Sequence, residues 1–276
     1  MNDPLSATSA VARGTERAGE HDLVPLPRAL ALCLWTGAYL RGDCGPDDAV
    51  QGAHGTGHRH VEHLDLDLFD RMTAVRRLPL VAVRPVLPAP GRIAGLVGPP
   101  AAITAALAAE QALVVTAGGI ADSTLIPAAE TIGSPGEEGL IVRWASHPAP
   151  PGAPMPPPPT DGARSRFLRA LQQAARSTAR LDLVPDEPIP LAHLPEGWTA
   201  IALPPRTDPQ AGHLLLLAAR TLLLSGAELE AADPVDYART GTPGLAAQTS
   251  RTALLRELRD AAREALVDAV GTLSAP

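Results

Sequence analysis

The run from Pro148 to Pro159, Pro-Ala-Pro-Pro-Gly-Ala-Pro-Met-Pro-Pro-Pro-Pro, constrains the fold of this chain more than any other stretch. Proline lacks the amide proton that helix and sheet both use, and its ring fixes φ at about −65°. A run this dense reads as extended polyproline II, a semi-rigid spacer. The alternative is a ligand for a proline-reading domain. The spacer is preferred, because such recognition calls for a basic residue placed close by.

The run divides the chain. Residues 1–24 read as a flexible tail, 25–147 as an α/β half with a small sheet, 148–160 as the bridge and 161–276 as an all-helical half. The class is α+β. With 276 residues the chain makes one domain or two, and the second half packs on residues 25–147 if they share a core. A chain this long buries enough surface to need no disulfide or metal. Aromatics are only 3%, so the core falls to Leu, Ala, Val and Ile, which favours helix packing.

Periodicity places the elements. Pro27 to Leu40 is apolar and Leu/Ala-rich, a buried helix with proline near its first turn. Gly42 to Gly57 reads as loop with one short helix after Pro46. Leu64, Leu68, Met72 and Val75 share one side of a helix ending near Leu78. Leu80 to Leu87 reads as a strand, and Pro85 puts it at an edge or at a bulge, since proline cannot donate to the ladder. Pro99 and Pro100 open a short helix to about Gln111, and strands follow at Leu113–Val115, Thr124–Ile132 and Gly139–Ser146. In the last of these Leu140, Val142 and Trp144 alternate with a second face.

Beyond the bridge, Phe167, Leu168, Leu171, Ala174, Ala175 and Thr178 form one apolar helical face. Asp208-Pro209 is a helix-start signal. Leu214 to Leu224 is apolar on all sides, as befits the central helix of a bundle, and Asp233-Pro234 ends it. Leu254, Leu258, Ala261, Ala265, Leu266 and Ala269 line the last helix, with Arg256, Asp260 and Arg263 on a solvated side.

Charge excludes some functions. Basic residues number 23, all Arg as in GC-rich coding sequence, against 30 acidic ones, for a net −7. This is not the footprint of a nucleic-acid binder. Cys33 and Cys44 are too few for a disulfide scaffold, and Cys33 sits in an apolar run as a small buried hydrophobe. Met1 to Asp22 has no apolar segment of the signal-peptide kind. Leu214–Leu224 is broken by Arg220 and too short for a bilayer. The expected setting is cytoplasmic, without membrane or nucleic acid.

Three clusters are candidate sites. The first spans His54 to His63, with Asp65 and Asp67 beyond. His58, His60, Glu62 and His63 resemble the HxHxDH signature of the metallo-β-lactamase fold, with Glu where that family has Asp. His58, His60, His63 and Asp65 are the candidate ligands of a divalent transition metal, which would activate water. The favoured reading is an exposed His-rich loop, and no cofactor is predicted. The second is the turn Gly91 to Gly98 between a strand and a helix, where Arg84, Gly91, Arg92, Gly95 and Gly98 suit an anion. It is neither GxGxxG nor a P-loop, Pro99 and Pro100 remove two amide donors, and the favoured reading is a turn whose glycines permit unusual backbone angles. The third is a helical stripe of Arg166, Arg169, Arg176 and Arg180, in a segment with five Arg and no acid. A solvated face explains it, or docking to an acidic partner or to the protein's own acidic half.

The segment Arg84-Pro85-Val86-Leu87-Pro88-Ala89-Pro90-Gly91, followed by Gly95-Leu96-Val97-Gly98-Pro99, resembles a group of uncharacterised actinobacterial proteins. They pair an LPxPG…GLxGP segment with a small-residue helix, a strand like Leu140-Ile141-Val142-Arg143-Trp144 and an Ala/Leu/Arg-rich helical tail. The resemblance spans most of the chain outside the tail, the His loop and the bridge. It implies no activity, and it marks Pro88 to Pro99 as the segment to look at first.

Catalytic sites need convergent titratable groups, and these clusters do not supply them. The expected function is therefore non-enzymatic binding of a protein partner, or self-association. The alternative is a metal-dependent or anion-binding enzyme acting at His54–His63 or Gly91–Gly98.

Overall fold

The computed structural model describes residues 23–55, 60–62, 68–93, 95–134, 139–154, 162–181, 194–231 and 245–275. Strand β1 (Val24–Pro27) runs directly into α1 (Arg28–Arg41), with Pro27 at the cap, where a missing amide breaks no helical bond. Every residue from Arg28 to Tyr39 is buried. This makes α1 the central helix, the place the sequence suggested for Leu214–Leu224. A buried helix start needs partners for its free amides. The Arg28 amide donates to the Gly197 carbonyl at 3.0 Å, and the Ala29 amide to Gln111 Oε1 at 2.9 Å.

The region after α1 is more helical than its glycines suggest. Pro46 opens α2 (Pro46–His54), and the Asp48 carboxylate accepts the Gly45 amide at 3.2 Å, a capping arrangement. The short strand β2 (His60–Glu62) and helix α3 (Leu68–Arg76) follow.

Strand β3 (Ala82–Val86), helix α4 (Pro100–Ala109) and strands β4 (Ala112–Ala117), β5 (Ile120–Ile132) and β6 (Gly139–Pro148) complete the first half. The five-stranded sheet has the order β2-β6-β5-β4-β3, antiparallel except where β2 runs parallel to β6. Pro85 thus lies on an edge strand, as its missing donor requires. Val83, Leu113, Val115, Leu125, Val142 and Trp144 turn one face into the cluster around α1. Val86, Val114 and Ile126 turn the other toward Leu96, Val97 and α4.

The proline run is not a spacer from its start. Pro148 ends β6, and Pro150 to Ala153 make a turn that folds back on the β4–β5 hairpin. The Ala121 amide donates to the Ala153 carbonyl at 3.2 Å, and Pro154 bridges to Ile120. Proline keeps its carbonyl, so it can accept where it cannot donate. Residues 155–161 lie outside the described residues.

The second half holds α5 (Ala163–Leu181), β7 (Trp198–Ile201), α6 (Pro209–Ala231) and α7 (Leu245–Leu273). The α+β class stands, but this half, expected as all-helical, contributes strand β7, which pairs antiparallel with β1. Four residues of Trp-Thr-Ala-Ile are too short to show a period of two. Asp208 caps α6 by accepting the Ala211 amide at 2.9 Å. The proposed stop at Asp233-Pro234 lies outside the described residues. Residues Pro209–Glu230 are long and apolar enough to cross a bilayer by length and composition, more than the Leu214–Leu224 core alone suggested. In this fold Leu215, Ala218, Ala219 and Leu222 are buried in the cluster that also holds Leu30, Val115, Phe167 and Leu266.

Candidate functional site

The segment marked by its prolines builds a hydrogen-bonded turn. Ala89 and Arg92 exchange two backbone bonds, Ala89 N to Arg92 O at 3.0 Å and Arg92 N to Ala89 O at 2.7 Å. Pro90 and Gly91 occupy the centre, and Gly91 has φ 76°. Proline followed by a left-handed glycine is the sequence of a type II turn. The turn holds Arg92 out from the sheet toward α7.

Helix α5 supplies the opposite wall. Ala163, Phe167, Ala170 and Ala174 are buried, which sets Arg166 and Arg169 along the edge. Helix α7 buries Ala262, Ala265, Leu266 and Val270, and this leaves Glu257, Asp260 and Glu264 facing α5. Between them lies a cleft of about 410 Å³ lined by Arg92, Arg166, Arg169, Glu257, Asp260 and Glu264, with Ala170, Gln173 and Ala261 completing it. Residues from two separate sequence clusters, the turn and the stripe, therefore meet in one place.

Three arginines face three carboxylates there. Arg166 grips Glu264 through Nε at 3.2 Å and Nη2 at 3.0 Å, and Arg92 reaches Glu264 at 3.4 Å and Asp260 at 3.5 Å. Arg92 is 53% exposed and Glu264 40%, so water screens these pairs and each is worth at most about 1 kcal/mol. Arg169 gives its Nε to the Ser165 carbonyl of its own helix.

A second link lies nearby. Glu110, in the left-handed conformation at the end of α4, accepts from Arg263 at 2.8 Å and Arg259 at 3.1 Å. Arg263 was expected on a solvated side and is instead buried; the depth of α7's packing decides this, and helical period alone does not show it. Burial lowers the Arg263 pKa, and the Glu110 carboxylate opposes that shift.

The remaining candidates are placed as follows. Arg84 lies on the sheet in register with Val114 and Thr124, is not among the residues lining the cleft, and its Nε is buried without a hydrogen bond. Gly95 and Gly98 both have positive φ, and Thr124 Oγ1 donates to the Val97 carbonyl between them, which fastens the loop to the sheet. Arg176 is exposed on α5; the Arg180 side chain lies outside the described residues. His58, His63 and Asp65 also lie outside them, and His60 is described only as backbone in β2. Among the described residues no three His, Cys, Asp or Glu side chains gather as a metal site. Burial pushes the Cys33 thiol up to about 12, against the lowering effects of its Ser274 hydrogen bond and of Arg84.

Sequence reasoning missed Glu257, Asp260 and Glu264 as site residues. Their spacing on a long amphipathic helix was visible, but which helix they would face was not.

Residues 29–162 match the model of a family described as "Rv1486c-like protein, N-terminal domain". The match fits the resemblance to an uncharacterised actinobacterial family and includes the Pro88–Pro99 turn. It ends before α5 and α7, so the other walls of the cleft lie beyond it. No curated protein and no solved structure matches the chain.

Proposed function

We propose that this is a cytoplasmic, non-catalytic protein that binds a partner protein through the cleft between the Arg92 turn, α5 and α7. The observation that carries this reading is the convergence of Arg92, Arg166 and Arg169 on one cleft opposite Glu257, Asp260 and Glu264. A preformed type II turn is an elaborate way to place one arginine whose ion pairs are half-exposed and add little stability. Presenting that charge to a partner accounts for the construction better. Exposed charges at the rim of an interface steer encounter and set partner choice. The burial of α6 leucines in the core supports a soluble placement.

The test is site-specific photo-crosslinking from Gln173 in the native cell. Arg169→Glu with Arg176→Glu, both at exposed positions, should remove the specific crosslinked species. The same species at the same yield from wild type and the double variant would rule the cleft out.

A further inference from the structure

The floor of the cleft is small. Ala170 is buried and Ala261 half-buried, so no large side chain rises between the helices there. The two helical walls are segregated by charge, with Arg166 and Arg169 on α5 and Glu257, Asp260 and Glu264 on α7, where Arg92 of the turn already meets Asp260 and Glu264. Arg166 and Glu264 meet across the cleft, but Arg169 and Glu257 make no ion pair among the described residues. Each wall therefore keeps one free charge of its own sign.

A groove with a small floor and oppositely charged rims is the receiving geometry of a third helix. Its inward side chains fill the floor, and its flanking charges meet the rims, as at coiled-coil e and g positions. A volume of about 410 Å³ takes side chains from a turn or two of such a helix. A uniformly acidic helix would face the α7 carboxylates, and a uniformly basic one the α5 guanidinium groups. Complementarity on both sides requires one flank of each sign. The ion pairs already present are half-exposed and screened by water, so exchanging partners costs about 1 kcal/mol or less for each.

We infer that the α5/α7 cleft receives one helix of a partner protein, with small apolar residues on its buried face. Carboxylates line the flank that meets Arg166 and Arg169, and basic groups the flank that meets Glu257 and Asp260. This rests on the cleft being a docking surface and adds the chemistry of what docks. Chain direction is not specified, since reversing a helix exchanges its flanks.

Three synthetic helical peptides with one shared Ala/Leu face test it, their flanks being Glu/Arg, Glu/Glu or Arg/Arg. Fluorescence anisotropy against the full chain at low salt should show the Glu/Arg peptide binding at least tenfold tighter than either uniform one. Arg169→Glu makes the unpaired charge on each wall acidic, Arg166 staying paired with Glu264, and should shift the preference to the Arg/Arg peptide. Glu257→Arg should shift it to Glu/Glu. Both substitutions are at exposed positions, and unchanged thermal melts confirm intact folds. The same ranking in all three proteins, or no binding by any peptide, overturns the helix. If crosslinking from Gln173 still depends on Arg169 and Arg176 in that case, the docking surface stands without it; if it does not, both fall.

Discussion

Gly37 of α1 lies against the backbone of Ser274, so closely that a Cβ at Gly37 would come within 2.5 Å of the Ser274 Cα. The end of α7 is thus seated on the central helix at a point where only hydrogen fits. Arg41 reinforces it, donating to the carbonyls of Leu273 at 2.6 Å and Ala275 at 3.0 Å.

Gly37→Ala should therefore destabilise the protein, because the nearest atoms belong to backbone and cannot turn aside. Overpacking of this kind costs about 1–3 kcal/mol, read as a lower urea midpoint at constant slope. An unchanged midpoint would mean that α7 is not seated on α1 in this way.

Gln111 is the side chain whose removal should be felt most at the start of α1. It accepts the Ala29 amide and donates to the Gly197 carbonyl at 2.8 Å, and it is buried. Gln111→Leu keeps bulk but leaves the buried Ala29 amide without an acceptor, at about 1–3 kcal/mol, while the Gly197 carbonyl keeps the Arg28 amide. Equilibrium unfolding in urea checks this, and a loss below roughly 1 kcal/mol would show that water replaces the side chain.

The two cysteines should separate by chemistry. Cys33 is fully buried and its thiol is held up to about 12, whereas Cys44 is partly exposed. Native protein should release one thiol equivalent to a disulfide reagent, and the second only on unfolding. The pH dependence follows from the direction of the Cys33 shift. Its folded pKa is raised above the unfolded value of 9.0, so its contribution is complete below pH 9 and is lost as pH rises toward 12. Unfolding free energy measured between pH 8 and 10 should fall more steeply for wild type than for Cys33→Ala. Equal slopes would contradict the burial.

Arg92→Ala should leave stability within about 2 kcal/mol of wild type, since each of its two half-exposed ion pairs is worth at most about 1 kcal/mol. A larger loss would make the turn a structural clamp and weaken the case for a docking role.

Local signals carried much of the fold. The proline at position 85 limited β3 to an edge or a bulge, of which the sheet takes the edge, and alternation at Leu140, Val142 and Trp144 marked β6. Both follow from rules that act within one strand. The central position of α1 did not show in this way, because Pro27–Leu40 and Leu214–Leu224 are both apolar all round and composition cannot rank them. Strand β7 escaped for want of length, and its partner β1 is more than 170 residues earlier in the chain. The cleft was half legible. Arginine periodicity on α5 and the Pro-Gly turn could each be read locally, but only packing brings them to the acidic side of α7.

Cleavage within residues 155–161 should leave two fragments that stay together. Among the core residues, Leu30, Val115 and Trp144 of the first half share one buried cluster with Phe167, Leu215 and Leu266 of the second. Strand β1 is paired with β7 across the same division, and Glu110 is tied to Arg259 and Arg263. Apolar surface shared in this way returns to water if the pieces part, at roughly 25 cal/mol for each Å² exposed. Nicked protein should co-elute as one species of unchanged size and melt in a single transition. Co-elution lost only in denaturant would mark a common core. Separation in native buffer, with each fragment still folded, would make the proline run a true interdomain linker.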